Sequence, residues 1–414
     1  MLSDEIIDKV IERVVNRIEQ GNTYVLKEIG KVIKRIGTLT PSTAYQLEQV
    51  LKFGGDYNKI ANKLAEVTKL NIADIYKIFE EVAKDDYNFA KKFYDYRNAP
   101  YIPYDQNIAL QNQVNAIASL TANQYINISR TLGFAIRTNR GIKFTELSKM
   151  YQETIDTGIL AVSQGKTNFD SEMYRIIKEL GSSGLKTVDY ASGRSVRLDS
   201  AVRMNLKDGL RTLHTEMQAQ FGKEFGADGV EITVHSYPAP DHAEIQGKQF
   251  SKQAFADLQR GLEVLDYKGF RHSLDHDHNG SYRPISTLNC YHTTFDIILG
   301  VSEPQYSDEY LQKVIDDNDK GFEFEGKHYT LYEGTQLQRK IELEVRKTKD
   351  IQITAVASYD GADTKIEDLI TQSQAKIRQL TAKYRQLSEV SGLPTKMKRM
   401  RVPNYKRVAI SKEK

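Results

Sequence analysis

The first 135 residues carry the feature that most constrains the fold, a repeated three-to-four spacing of apolar side chains. It is clearest near the start, in the stripe formed by Ile6, Ile7, Val10, Ile11, Val14, Val15 and Ile18. Residues at this spacing share one face of an α-helix, so the stripe predicts an amphipathic helix with one buried side. Gly21-Asn22 is expected to end that helix. Similar patterns predict further helices over 24–36, 42–53, 57–69 and 72–95.

A change of pattern divides the chain after this region. The stretch RNAPYIPYDQN (97–107), with two prolines, predicts a linker. Helical spacing resumes near 107, runs past 130, and returns over 143–165 and 168–184. We therefore expect a helical N-terminal region over 1–100 and a helical connecting region over 105–184.

The central region, 185–333, mixes strand and helix signals. KTVDYASGRSVRLD (186–199) predicts a hairpin in which Val188 and Tyr190 face Val196 and Leu198. A helix over 200–226, strands over 229–237 and within 285–299, and a hairpin around Gly326 follow. This pattern indicates a compact α+β module with short strands and hairpins.

The last region, 334–414, is again helical over 335–356 and 364–392 and ends in a basic tail. The predicted fold class is therefore α+β, with a mainly helical N-terminal region and a helical, basic C-terminal region. No apolar run reaches the roughly 18 residues that a membrane-spanning helix needs. The single cysteine excludes an internal disulfide framework.

Six of the eight histidines fall between positions 235 and 292, and this clustering is the most chemical feature of the sequence. His235, His242, Cys290 and His292 are residue types that bind zinc, and four such ligands complete a structural site. The spacing lacks the usual short pair of ligands, so a buried polar network that satisfies loop backbone is the alternative. We therefore expect no cofactor, and zinc is the one that these residues could hold.

Other catalytic patterns are incomplete. DHDHNG (275–280) matches the first half of a calcium-binding loop, but Ser286 stands where the bidentate Glu is needed. Asp241-His242 could form an acid–base pair and Cys290 a thiolate, yet Cys290 lies in an apolar run typical of an inert thiol. No phosphate-binding glycine loop occurs. We therefore do not expect an enzyme.

Charged residues at two further places are candidates for binding. Six of the eight cations in the tail are the candidates to neutralise DNA phosphates or meet an acidic protein surface: Lys396, Lys398, Arg399, Arg401, Lys406 and Arg407. Asp199 is expected to cap the 200–226 helix, and Arg203 could clamp a loop carboxylate. A structural role is the prediction for this second pair.

Three stretches in this order resemble the phage minor capsid protein 2 family, which is related to the MuF-like head morphogenesis proteins of tailed phages. They are GLKTVDYASGRSVRLDSAVRMNLKDGLRT, HSYPAPDHAEIQGKQF and ISTLNCYHTTFDIILGVSEP. The resemblance covers roughly 110–405 and includes the helical, basic end. The family's histidine motif maps onto His235, Asp241, His242, Gln246, Gly247 and Lys248, and a second motif onto Asn289, Cys290 and His292. Tyr291 departs from the family's Arg.

The resemblance implies a virion protein of the phage head or portal region, made in the host bacterial cytoplasm and oligomeric when assembled. Its expected partners are the portal protein or the major capsid protein, with double-stranded DNA as a further contact during packaging or ejection. Two alternatives stay open from the residues themselves. One is a metal-dependent hydrolase or nuclease built on His235, His242, Cys290 and His292, and the other is a non-specific DNA-binding protein that uses the tail.

Overall fold

The computed structural model describes residues 4–39, 43–138, 141–164, 166–188, 195–274, 283–287, 290 and 292–408. This described part contains ten α-helices and eleven short β-strands, so the predicted α+β class with helical ends is confirmed. None of the described helices is both long and apolar enough to span a membrane.

The first two helices are longer than the sequence indicated. Helix α1 (Asp4–Gly37) runs through the predicted end at Gly21-Asn22, which is therefore wrong. Asn22 is buried, and its amide accepts a hydrogen bond from Leu185 N at 2.7 Å and donates to Asp350 at 3.3 Å. These distant partners satisfy a side chain that would otherwise favour a helix end. Helix α2 (Thr43–Arg97) is likewise continuous, about 80 Å long, where three helices were predicted.

A four-stranded antiparallel sheet follows helix α3 (Ile108–Arg130). Its first hairpin, β1 (Leu132–Thr138) and β2 (Gly141–Glu146), replaces the helix predicted to run past 130. Gly133 permits the pairing, because a Cβ there would lie 2.2 Å from Thr145 O. The buried Phe134 adds apolar contact. Helices α4 (Leu147–Ser163) and α5 (Lys166–Ser183) come next.

The predicted 186–199 hairpin supplies the other half of this sheet, in the order β2-β1-β3-β4. Strands β3 (Lys186–Val188) and β4 (Ser195–Arg197) pair antiparallel, so the hairpin is confirmed. Its register differs from the prediction, because Val196 lies opposite Thr187 and Leu198 begins helix α6 (Leu198–Glu224). Tyr190 lies outside the described residues.

One large apolar core joins α1 to α6 with two helices from the end of the chain. Fully buried members include Ile11, Val14, Leu26, Ile29, Phe79, Tyr125, Leu206, Leu210 and Ala355. Each fully buried aliphatic side chain contributes about 1.5–3 kcal/mol relative to exposure. Apart from the exposed Ile6, the apolar stripe that predicts the first helix thus becomes the side that packs into this core.

A smaller unit with its own core follows α6. Strands β5 (Gly229–Ile232), β6 (Gln249–Ser251) and β9 (Thr294–Ile297) form an antiparallel sheet in the order β6-β5-β9. Helix α7 (Lys252–Leu258) and the hairpin β7 (Val264–Leu265) and β8 (Arg271–His272) complete it. The predicted strands were too long, since β5 ends at Ile232. The half-matched calcium loop, 275–280, lies outside the described residues.

The C-terminal part begins with helix α8 (Asp308–Lys320) and the predicted hairpin around Gly326, which is confirmed as β10 (Phe322–Phe324) and β11 (Lys327–Tyr329). Helix α9 (Leu331–Ser358) starts with a reciprocal cap, in which Thr330 and Glu333 exchange side-chain and backbone hydrogen bonds. Helix α10 (Thr364–Ser391) packs along α9, and both helices also contact α5.

Between residues 392 and 408, the described part of the chain after α10, one short turn, Met397–Met400, is the only helical element. It lies along the helices, with Met400 and Val402 buried. Tyr405 donates a hydrogen bond to Gln352 at 2.8 Å, and Gln374 donates to Val408 O at 2.6 Å. The described part of the basic tail is therefore a docked segment with a fixed path.

Candidate metal centre

The candidate centre forms where the loop after β5 meets the segment before β9. Past Ile232 the chain leaves the sheet through a Pro-Ala-Pro stretch and makes one short helical turn, Pro240–His242. It returns through Gly247, whose φ of +70° favours glycine and whose N–H donates to Ile232 O at 2.9 Å. The closed loop carries His242 and Gln246 on its inner side.

Three predicted side chains converge beneath this loop. The Cys290 Sγ atom lies 3.3 Å from His242 Nδ1 and 3.5 Å from His292 Nδ1. The ligand atoms of the three residues lie within 4.8 Å of one another. Exposure is 1% for His242, 1% for Cys290 and 3% for His292. Cys290 and His292 precede β9, so loop geometry rather than strand alternation brings them to one side.

The outer ring nitrogens of both histidines are held by oxygen acceptors. His242 Nε2 donates to the carbonyl of Arg283 at 2.7 Å, and His292 Nε2 donates to Gln246 Oε1 at 3.2 Å. That amide oxygen also accepts the backbone N–H of His235 at 3.0 Å. These contacts fix the ring orientations and direct both Nδ1 atoms toward the sulfur.

Burial keeps the three groups neutral. It lowers the pKa of His242, and it lowers the pKa of His292 further because the rings of His235 and His242 lie close by. Burial also raises the pKa of the Cys290 thiol. A thiolate or an imidazolium in this place would need a compensating charge.

The remaining members of the predicted motif have other contacts. The His235 ring is half-buried, with its centroid 4.7 Å from that of His292 and nearly perpendicular to it. Asp241 forms a two-pronged ion pair with Arg283 at 2.8 and 3.0 Å, whereas its carboxylate is 3.8 Å from His242 Nε2. Lys248 lies 3.7 Å from Asp308. Asn289 and Tyr291 lie outside the described residues.

Sequence reasoning missed two residues that support the centre. Arg283 both orients His242 and neutralises Asp241, and Ser286 donates its hydroxyl to His292 O at 2.8 Å. The Arg-Pro pair at 283–284 lies in no helical or strand pattern of the sequence. The Arg283 role depends on a contact across about forty residues that no local pattern encodes.

A buried ionic cluster accounts for the other predicted pair. Asp199 is not the cap of α6, because the helix begins at Leu198 and Arg197 is its N-cap. The Asp199 carboxylate instead pairs with Arg197 at 3.0 Å and with Arg346. Burial would raise the pKa of Asp199, but these two guanidinium groups hold it well below its usual value. Arg203 lies 3.8 Å from Asp8, a carboxylate on α1 rather than on a loop.

A family comparison identifies the class of protein. The family model matches residues 2–389, nearly the entire described chain, and it defines a structural component of the phage head. No curated protein and no solved structure matches the chain. The family is described as Phage minor capsid protein 2, and this chain belongs to it. The match confirms the predicted family and a place in the virion, while the further link to MuF-like proteins stays a prediction.

Proposed function

We propose that this minor capsid protein attaches to the portal during head assembly and contacts packaged DNA through its C-terminal segment. Family membership carries the first part of the proposal, because it makes other virion proteins the natural partners. An exposed apolar surface supplies a candidate attachment point. The basic segment that docks on the helices carries the second part.

The apolar surface lies on and beside the β7–β8 hairpin. Leu262, Leu265, Tyr267 and Phe270 are each between 50% and 62% exposed. Grouped exposed apolar side chains of this kind mark protein–protein contacts more often than isolated ones do. We propose that the hairpin inserts against a portal subunit and that several copies bind around the portal in the assembled particle.

Co-assembly with the portal tests this attachment. The double variant Leu265→Asp and Phe270→Ser should fold but lose co-purification with portal from procapsids. The matched control is Leu120→Asp, which changes a leucine on α3 that is 66% exposed, against 54% for Leu265. The portal is rejected as the partner if the double variant still co-purifies with portal. It is also rejected if the double variant is lost only from shells that lack portal.

The DNA contact is proposed from the cations of the docked segment. Lys396, Lys398, Arg401, Lys406 and Arg407 are exposed, and Arg399 is half-buried, 3.4 Å from Asp8. The Tyr405–Gln352 hydrogen bond and the buried Met400 hold the backbone in place. A cation array on a fixed backbone loses less conformational entropy on meeting phosphates than a free tail does.

Salt dependence tests the DNA contact. We compare the chain with a variant in which Lys398, Arg401, Lys406 and Arg407 are changed to Gln. If all four side chains reach phosphates, the negative slope of log K against log salt concentration becomes shallower by about 3–4 in the variant. The control changes four exposed lysines elsewhere, Lys69, Lys77, Lys178 and Lys313, to Gln. An unchanged slope in the first variant, or an equal loss in both, would exclude this segment as the DNA contact.

A further inference from the structure

The hydrogen bonds around Cys290 fix where the protons of the two buried histidines lie. A backbone carbonyl only accepts, so the 2.7 Å contact between His242 Nε2 and Arg283 O places a proton on Nε2. The Gln246 oxygen is identified in the same way, because it accepts the backbone N–H of His235. The proton in its contact with His292 therefore lies on His292 Nε2.

The inner face of the cluster consequently has too few protons. Each neutral ring carries its one proton on Nε2, so both Nδ1 atoms present lone pairs to the sulfur. The thiol has a single proton and can donate to only one of them. The sulfur of Cys290 and the two Nδ1 atoms thus meet in a buried space, where the single thiol proton cannot satisfy both nitrogen acceptors.

We propose that His242, Cys290 and His292 bind one zinc ion through Nδ1, Sγ and Nδ1. A zinc ion with Zn–S of about 2.3 Å and Zn–N of about 2.0–2.1 Å at tetrahedral angles separates sulfur and nitrogen by about 3.6 Å. The two separations in the structure are 3.3 and 3.5 Å. Mixed thiolate and imidazole ligands suit this borderline-soft ion.

The surroundings have the second layer that zinc sites use. Zinc-bound histidines usually donate the other ring N–H to a carbonyl or carboxylate, which orients the ring and strengthens the ligand. Arg283 O and Gln246 Oε1 occupy those two places, and Asp241 in turn fixes Arg283. Three protein ligands leave one tetrahedral position for water or another exogenous ligand.

Binding has a defined proton balance and a structural consequence. Zinc displaces the Cys290 proton to solvent as the Zn–S bond forms, while both imidazoles bind in the neutral form. The ion then ties the loop that carries His242 to the segment before β9, which have no helix or strand in common. Titration in two buffers of different ionisation enthalpy should give about one proton released for each ion bound.

Metal content and cobalt spectroscopy test the site in the full chain. Protein purified without chelator, loaded with zinc and dialysed should retain about one equivalent. Cobalt in its place should give the intense visible bands of tetrahedral coordination and a near-ultraviolet thiolate-to-cobalt band. Because Cys290 is the only cysteine of the chain, that band assigns the ligand without any substitution. Less than about a tenth of an equivalent of zinc, or cobalt bound without the thiolate band, would overturn the proposal.

Three variants sharpen the assignment. Cys290→Ser should abolish the thiolate band, and Gln246→Ala should weaken zinc binding about 10–100-fold through the lost support of His292. His328→Ala is the control, since this exposed histidine lies on β11, and it should bind like the parent chain. Parent-like affinity in either of the first two variants contradicts the proposal. If Cys290→Ser fails to fold, the cobalt spectrum of the parent chain decides.

Discussion

Glu19 on α1 lies against the buried ionic cluster and should make the protein less stable at high pH. Its carboxylate is 3.6 Å from Arg346, and its side chain is only 13% exposed. Burial raises the pKa of Glu19 from 4.5 to about 7, and the nearby Asp199 carboxylate adds to the rise against the opposing effect of Arg346. The folded protein therefore holds a proton that the unfolded chain releases between pH 4.5 and about 7.

The sign of the effect follows from that difference. As pH rises through this window the unfolded state is favoured, so stability falls and the loss is complete above pH 7. A rise from 4.5 to about 7, at about 1.36 kcal/mol per pKa unit, sets an upper limit of about 3 kcal/mol. Because the side chain keeps some solvent contact, we expect about 1–3 kcal/mol. Glu19→Gln should recover this amount at pH 8 and nothing at pH 4.

Urea unfolding at pH 4, 6 and 8 measures the difference between the two chains. The control is Glu28→Gln on the same helix, where the side chain is also 13% exposed but the carboxylate pairs with Lys31 at 2.7 Å. This control should give no gain at pH 8. The reasoning fails if Glu19→Gln is less stable than the parent at pH 8, or if the difference between them is the same at all three pH values.

Three further substitutions test the packing of the large core. Asn22→Leu should lower the free energy of unfolding by about 2–4 kcal/mol, because it leaves the buried Leu185 N–H without its acceptor and removes one of the hydrogen bonds to the buried Asp350, and thermal unfolding will show it. Gly181→Ala should destabilise by several kcal/mol or prevent folding, since a Cβ would lie 2.4 Å from the Ile351 Cα; a parent-like melting temperature would contradict this close approach. Lys207→Met should reduce stability at pH 7 by about 1–3 kcal/mol. Burial alone would raise the pKa of Asp8, but Lys207 and other cations hold it below its usual value, so that loss should shrink as pH falls through the Asp8 pKa.

The helical part of the fold was predictable because its signal is local. Apolar residues at three-to-four spacing became the buried sides of α1 to α6, α9 and α10. The errors arose where distant contacts override local preference. Gly21-Asn22 would end an isolated helix, but the hydrogen bonds of Asn22 with Leu185 and Asp350 compensate inside the core. The hairpin at 132–146 was missed because the helix patterns on its two sides were extended over the ends of its strands.

The candidate site was predictable only in its residue types. The spacing of Cys290 and His292 and the Asp241-His242 pair marked the residues, and the structure brings three of them together. The sequence could not indicate that Asp241 would turn away to Arg283, or that Gln246 would fix the proton of a histidine ring. Those roles depend on contacts between segments about forty residues apart, and such contacts produce no periodic pattern in the sequence.

The contacts of α1 with the far end of the chain bear on when the protein can fold. Asn22 contacts Asp350, and Asp8 contacts Arg399, so some of the native neighbours of the first helix are made more than three hundred residues later. During translation the part of α1 that packs on α9 stays uncovered until α9 leaves the ribosome, whereas α2, α4 and α6 can pack on α1 earlier. A chain truncated before α9 would lack this part of the cover of α1. The complete native core of this protein is thereby restricted to chains whose synthesis has passed α9.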